Sequence, residues 1–174
     1  ALSRQPRDHA FAELAHDALE AASDNDKHGL HKLAAAGGLG EFLTPLLIES
    51  FAQAFGTYAG TGRVVVGRDT RASGPMLQHA VHCGLLAAGC EVIDVGILPT
   101  PTIQVYVKAV KARGGIAITA SHNPAEYNAL KFFNGQGLFF NAYERNELLD
   151  IYHQREFRQA KHDEIGALRR DLET

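Results

Sequence analysis

The sequence predicts an α/β fold in which helices cover both faces of a mostly parallel sheet. Three short apolar runs rich in β-branched residues recur along the chain, at residues 63–67, 91–95 and 115–119. Stretches that contain an early proline and are long enough for a helix separate these runs. Because parallel neighbours need a crossover of about a dozen residues, this alternation predicts βαβ units and a three-layer α/β/α sandwich.

Two helices are predicted ahead of the first strand. Apolar side chains recur on one face of a helical pattern across residues 9–22, which predicts an amphipathic helix there. Thr44 precedes Pro45; threonine is a favourable N-cap, and proline's missing N–H is harmless in the first turn. A second helix is therefore predicted to begin there and to run to about Tyr58.

The later elements follow in order: strand 63–67, helix 73–88, strand 91–95, helix 100–112, strand 115–119, strand 129–133 and helix 141–154. About nine residues separate the last two strands, too few for a helical crossover. The fourth strand is therefore predicted to be antiparallel to its neighbour or to lie at an edge. The expected sheet is mixed, mostly parallel and four-stranded, and the charged tail is expected to be a linker or a trailing helix.

Composition excludes several classes of partner. The 174 residues, 45% of them hydrophobic, suffice for one sizeable core. The net charge is −3 with no run of five basic residues, which argues against binding nucleic acid. No apolar run suits a membrane span and the N-terminus does not read as a secretory signal, so no membrane partner is expected. Cys83 and Cys90 are expected to be free, largely buried thiols of a cytoplasmic protein.

Ser121 is the residue that the pattern marks for chemistry. A predicted strand ends at Thr119 and is followed by Ser121, His122, Asn123 and Pro124, which places the serine at the carboxyl end of a strand, where open α/β sheets bind ligands. Serine is a weak nucleophile unless a base, a metal or a prior covalent charge activates it. Side chains of adjacent residues on a turn often diverge and no GxSxG elbow occurs, so a hydrolase that uses Ser121 and His122 is a minor alternative.

The same residues also have purely structural interpretations. Taken alone, Ser121 suits a turn or a cap, and Lys131 suits a sheet edge facing solvent. Asp69 can cap the turn after the first strand while Arg68 and Arg71 point into solvent. These alternatives stay open on spacing alone.

Three motifs, in order along the chain, resemble one enzyme family. Residues 119–124 read TASHNP and residues 128–131 read NALK; together they are similar to the phosphoserine signature of the α-D-phosphohexomutases. The GRDTR turn at 67–71 and the LPTPT junction at 98–102 resemble the corresponding segments of that family. The resemblance covers roughly residues 43–153 and implies the family's first-domain fold.

The resemblance implies a mutase that moves a phosphoryl group between the 1- and 6-hydroxyls of a hexose, such as phosphoglucosamine, phosphomannose or phosphoglucose. A phosphoserine at Ser121 would phosphorylate the bound monophosphate, and the hexose 1,6-bisphosphate would return its other phosphate. Mg²⁺ would bind through the Ser121 phosphate and neutralise charge during transfer. The Lys131 ammonium would stabilise the transferring oxygens or assist proton transfer. The catalytic residues of the implied site are Ser121, Lys131 and His122. The residues that it implies for binding the substrate or its phosphate are Asn123, Asn128 and Arg68.

The sequence departs from the family pattern in one loop. Ahead of Leu43 the family carries a glycine-rich loop with a serine and an arginine, whereas residues 33–40 read LAAAGGLG here. The place of the arginine falls on or near Ala36. Because the lysine and hydroxyl of a P-loop are absent from this stretch, its glycines are interpreted as a flexible turn.

The resemblance also predicts the organisation of the chain. We expect a helical extension at 1–30, phosphohexomutase domain I at 31–154, and a tail or linker toward absent domains at 155–174. The family uses four domains, and neither its aspartate-rich metal loop nor its C-terminal phosphate loop occurs in these residues. The expected partners are a hexose phosphate and the remaining domains, with little turnover from this chain alone. The alternative is a degenerate or excised domain that serves as an interaction or folding module.

Overall fold

The computed structural model describes residues 37–38 and 43–172. Its elements in chain order are β1 (Gly37–Gly38), α1 (Pro45–Ala59), β2 (Arg63–Arg68), α2 (Gly74–Ala87), β3 (Glu91–Ile97), α3 (Thr100–Ala109), β4 (Gly114–Ile118), β5 (Tyr127–Asn128), β6 (Leu130–Asn134), α4 (Ala142–Gln154) and β7 (Leu168–Arg170). The helix predicted at 9–22 lies outside the described residues.

Five of these strands form one mixed sheet in the order β6-β4-β2-β3-β7. Strand β2 is parallel to both β3 and β4, while β6 is antiparallel to β4 at the edge of the sheet. The α/β class and the antiparallel edge strand are thus confirmed. Both follow from the length of the connections, because a short connection cannot return the chain to the opposite end of the sheet.

The predicted strand count was one too low. Part of the charged tail forms β7, which pairs in parallel with β3, instead of a linker or a trailing helix. Backbone hydrogen bonds from Val92 to Ala167 (2.7 Å) and from Asp171 to Asp94 (2.8 Å) hold it there. These bonds satisfy the open edge of β3, and a tail with little apolar periodicity gives no local sign of such pairing.

Helices cover both faces of the sheet and divide the core in two. Helices α1, α2 and α4 pack on one face around Phe55, Leu85 and Leu148, and α3 packs on the other around Ile103 and Val107. Helix α1 begins as predicted, since the Thr44 hydroxyl accepts a hydrogen bond from the Leu47 amide (3.2 Å). The result is a three-layer sandwich whose central strands are buried on both sides.

The two cysteines are both free, as predicted, but only one is buried. Burial raises the pKa of the Cys90 thiol to about 11, so it behaves as a small apolar side chain. The prediction that both thiols are largely buried was wrong for Cys83, which lies on the exposed side of α2. No helix among the described residues is long and apolar enough to cross a membrane.

The stability of the fold should depend on pH because of one buried histidine, His82. His82 of α2 is buried with its Nε2 atom 4.0 Å from the Asp94 carboxylate, and this atom has no hydrogen-bond partner within the described part of the chain. Desolvation lowers the pKa of His82, opposed by Asp94 and supported by His79 and Arg170. The unfolded chain therefore takes up this proton more readily, and stability should fall as the pH drops from about 6.5 through the lowered pKa.

We expect His82→Gln to reduce this acid sensitivity, because glutamine stays neutral across the range. The measurement is urea denaturation at several pH values between about 7.5 and 5, where the variant should show a shallower loss of unfolding free energy. His162→Gln, which removes an exposed imidazole outside α2, is the matched control. Equal slopes for the wild type and His82→Gln would contradict the prediction.

Candidate functional site

The predicted site lies where the loops after β2 and β4 meet. These strands are adjacent and parallel, and the amide of Asp69 extends their pairing by donating to the Ile118 carbonyl (3.1 Å). The chain leaves β2 toward β3 and leaves β4 toward β6, on opposite sides of the pair. Open α/β sheets form their ligand crevices at such a switch point, beyond the carboxyl ends of the strands.

Ser121 occupies the loop after β4 in an uncommon backbone conformation. Its φ angle is +58°, in the left-handed region, and the residue is exposed. Its amide donates to the Thr119 hydroxyl (3.1 Å), and the Asn123 amide donates to the Ala120 carbonyl (3.1 Å). A residue other than glycine, Asn or Asp rarely adopts this conformation, and such strain is concentrated at functional sites.

The side chain of Ser121 meets that of His122. The two side chains are exposed, and Ser121 Oγ lies 3.3 Å from His122 Nδ1, although side chains of adjacent residues were expected to diverge. Within the described ranges, no carboxylate forms an ion pair with His122. The third group that orients the base of a hydrolase triad is therefore not seen in this part of the chain.

Arg71 is the residue that sequence reasoning missed. Its Nε donates to the carboxylate of Asp69 (3.1 Å), and its side chain is only 13% exposed. Its Nη1 and Nη2 atoms donate to four backbone carbonyls of the loop after β4: those of Ser121 (2.9 Å), Asn123 (2.7 Å), Pro124 (2.6 Å) and Tyr127 (3.0 Å). The structure excludes the alternative in which Arg71 points into solvent, because the loop supplies it with acceptors.

Two of the predicted phosphate-binding residues point elsewhere in this structure. Arg68 donates to the Gln78 side chain (3.1 Å) and to the Asp69 carbonyl (3.0 Å), which directs it toward α2. Asn128 is fully buried, where its amide group donates to the Ser73 hydroxyl (2.8 Å) and accepts from the Ala129 amide (2.8 Å). A role in binding phosphate stays a prediction for both residues.

Lys131 and Asn123 are closer to the predicted arrangement. Lys131 is partly buried in β6 opposite Ala117 of β4, four residues before Ser121. Asn123 lies in the loop itself and is half-buried. The strand pairing therefore brings Lys131 to the end of the sheet that carries the serine loop.

The glycine segment ahead of α1 also reaches this loop. Strand β1 pairs with β5 in antiparallel fashion, with Gly37 opposite Asn128, where a flexible turn was predicted.

Among the described residues no group of three or more His, Cys, Asp or Glu side chains could hold a metal ion. The described residues therefore do not form a magnesium site by themselves, and the phosphate on Ser121 is the one metal ligand that the prediction assigns to this chain.

Comparison with known proteins agrees with this architecture. The family model for phosphoglucomutase/phosphomannomutase, alpha/beta/alpha domain I, matches residues 30–159. The chain is 45% identical over 130 residues to a probable phosphoglucosamine mutase of Thermococcus kodakarensis, covering 75% of this chain and 29% of that protein. It is also 45% identical over 136 residues to a phosphoglucomutase/phosphomannomutase of the same organism, covering 75% of this chain and 30% of that protein.

Solved structures give the same result for the fold. A phosphoglucomutase/phosphomannomutase family protein from Burkholderia thailandensis superimposes with a TM-score of 0.70 and 29% identity, over 82% of this chain and 32% of that one. A putative phosphomannomutase from Thermus thermophilus gives 0.67 and 29%, over 79% and 31%. The chain thus spans less than a third of the length of these relatives. It belongs to the phosphoglucomutase/phosphomannomutase family, and it carries the α/β/α domain I of that family.

Proposed function

We propose that this chain is the serine-bearing domain of a phosphohexomutase that interconverts hexose 1-phosphate and hexose 6-phosphate. The observation that carries the proposal is the exposed Ser121, held in a left-handed conformation on the loop after β4, beside the end of the parallel strand β2. The backbone strain is consistent with a position maintained for chemistry. The family membership supplies the reaction class, and the relatives' names are those of hexose phosphate mutases.

The proposed cycle transfers one phosphoryl group in each direction. The bond between phosphorus and Ser121 Oγ breaks as a sugar hydroxyl forms a new bond to phosphorus and releases its proton to solvent water. The serine oxygen takes up a proton as it leaves, and His122 Nδ1, 3.3 Å away, is placed to donate it. The hexose 1,6-bisphosphate then turns over, and its other phosphate is transferred to Ser121 Oγ as the serine proton returns to His122 and the sugar oxygen takes up a proton from water. Lys131 contributes positive charge to the transferring oxygens in both steps.

We expect little turnover from this chain alone. It spans 29% of its Thermococcus kodakarensis relative, and the described residues hold no cluster that could bind a metal ion without other groups. Mg²⁺ would supply charge neutralisation once the remaining domains complete its site. The alanine-rich stretch at 33–36 motivates a second candidate, a domain of the same fold that has lost its chemistry and serves in interaction or folding.

A chimera separates the two candidates. This chain would replace the segment that it matches in the phosphoglucomutase/phosphomannomutase of Thermococcus kodakarensis, and the chimera would be incubated with glucose 1,6-bisphosphate and Mg²⁺. Peptide mapping by mass spectrometry should find one phosphate, on Ser121, and the Ser50→Ala control in α1 should carry the same phosphate. A folded chimera with no phosphate on Ser121 would exclude the mutase and favour the non-catalytic module.

A further inference from the structure

The Arg71 guanidinium is saturated by hydrogen bonds to its own protein. A guanidinium has five N–H donors in a fixed fork. One donates to Asp69 Oδ2, and the other four reach carbonyl oxygens of the segment between Ser121 and Tyr127. No donor is then left for a phosphate in this arrangement, so Arg71 serves the loop that carries the serine.

The Arg71 guanidinium offsets an unfavourable arrangement of dipoles in the loop. Four carbonyl dipoles converge on one point with their negative ends together, an arrangement that is unfavourable unless a positive charge lies between them. The loop must also hold Ser121 at a φ of +58°, which costs on the order of 1 kcal/mol or more for a residue that is not glycine. The side chain of Arg71 is 13% exposed, and partial shielding from water makes these charge-assisted bonds stronger.

Asp69 fixes the orientation of the arginine. One carboxylate oxygen accepts from the Arg71 backbone amide (3.0 Å), and the other accepts from Nε (3.1 Å). The two residues thus form a closed ring at the end of β2, and the two Nη atoms project toward the loop after β4. Neighbouring Arg68 cannot substitute, because its Nε and Nη1 atoms donate to Gln78 and the Asp69 carbonyl.

We propose that Arg71 is a positioning residue that locks the Ser121 loop in the conformation needed for phosphoryl transfer, by gathering four loop carbonyls around one guanidinium. Its consequence for catalysis rests on the proposed function. The set of hydrogen bonds from Arg71 to the four loop carbonyls, called the clamp below, is a property of this chain and can be tested without any reaction. A misplacement of the reacting oxygen by about 1 Å can cost on the order of 100-fold in rate, and this sets the expected scale.

The first experiment tests the clamp in the 174-residue chain. Amide hydrogen exchange of residues 121–128 is measured for the wild type, Arg71→Ala and Arg71→Lys, with Arg113→Ala as an exposed arginine control. Both Arg71 variants should exchange at least about 10-fold faster in this loop, while β2 and β4 stay protected. Unchanged exchange in the loop would overturn the proposal, as would equally accelerated exchange throughout the sheet.

The second experiment tests the catalytic consequence in the chimera. Arg71→Ala should lower kcat by on the order of 100-fold with little change in KM, and added methylguanidinium should restore part of the rate. Arg71→Lys should stay low, because an ammonium keeps the charge but has only three donors. Full activity of either variant, or a change confined to KM, would overturn the positioning role. If the chimera shows no mutase activity that is lost on Ser121→Ala, the proposed function is contradicted. The hydrogen-exchange result then still tests whether Arg71 holds the loop.

Discussion

Replacement of Ser121 with alanine is expected to abolish the mutase turnover of the chimera. The hydroxyl oxygen of Ser121 is the protein atom that the proposed cycle bonds to phosphorus, and removal of a covalent nucleophile typically costs on the order of 10⁴-fold or more in kcat. The Ser121 side chain is exposed, and its Oγ lies within hydrogen-bond distance of the adjacent His122 Nδ1, so the melting temperature should hardly change. Steady-state kinetics with glucose 1-phosphate, together with thermal melting, would check both parts.

Two further variants separate loss of chemistry from loss of structure. Ser121→Gly should be equally inactive, yet it should be more stable by up to about 1 kcal/mol, because glycine adopts a φ of +58° without steric cost. Ser50→Ala removes a hydroxyl from α1 and should leave turnover unchanged. Turnover of Ser121→Ala within about twofold of the wild type would rule out the phosphoserine cycle.

Replacement of Phe55 with alanine is expected to lower the free energy of unfolding by about 3–5 kcal/mol, the range for emptying a buried aromatic site. Phe55 is fully buried on α1, and its ring centroid lies 5.2 Å from that of Phe132 and 5.7 Å from that of Phe140. Its ring also covers Gly114, where an added Cβ would come within 2.8 Å of Phe55 Cζ. The large ring therefore supports β4 and β6, the two strands that flank the serine loop.

Urea denaturation of the 174-residue chain measures this loss directly. Leu46→Ala is the matched control, since Leu46 lies on the same helix with 65% of its surface exposed, and it should change stability by less than about 0.5 kcal/mol. A loss below about 1 kcal/mol for Phe55→Ala would mean that the aromatic cluster is not the support that the packing indicates.

Local sequence patterns determined most of the elements of this domain. The runs 64–66 and 116–118 are apolar and rich in β-branched residues because these strands are buried on both faces, and the sequence alone shows this pattern. The short connection after β4 predicted that the next strand is antiparallel or lies at an edge, and the TASHNP motif after a strand predicted an exposed serine at the carboxyl end of that strand. Each of these inferences depends on residues that are near one another in the chain.

Tertiary structure decided the features that depend on distant residues. Arg71 and Ser121 are 50 positions apart, and they meet because β2 and β4 are neighbours in the sheet while β3, which lies between them in sequence, pairs on the other side of β2. Strand order likewise turned the charged tail into β7, and side-chain packing directed Arg68 toward α2. Every residue has a backbone carbonyl, so no sequence motif predicts that four carbonyls will accept hydrogen bonds from one guanidinium. These contacts form only in the folded chain.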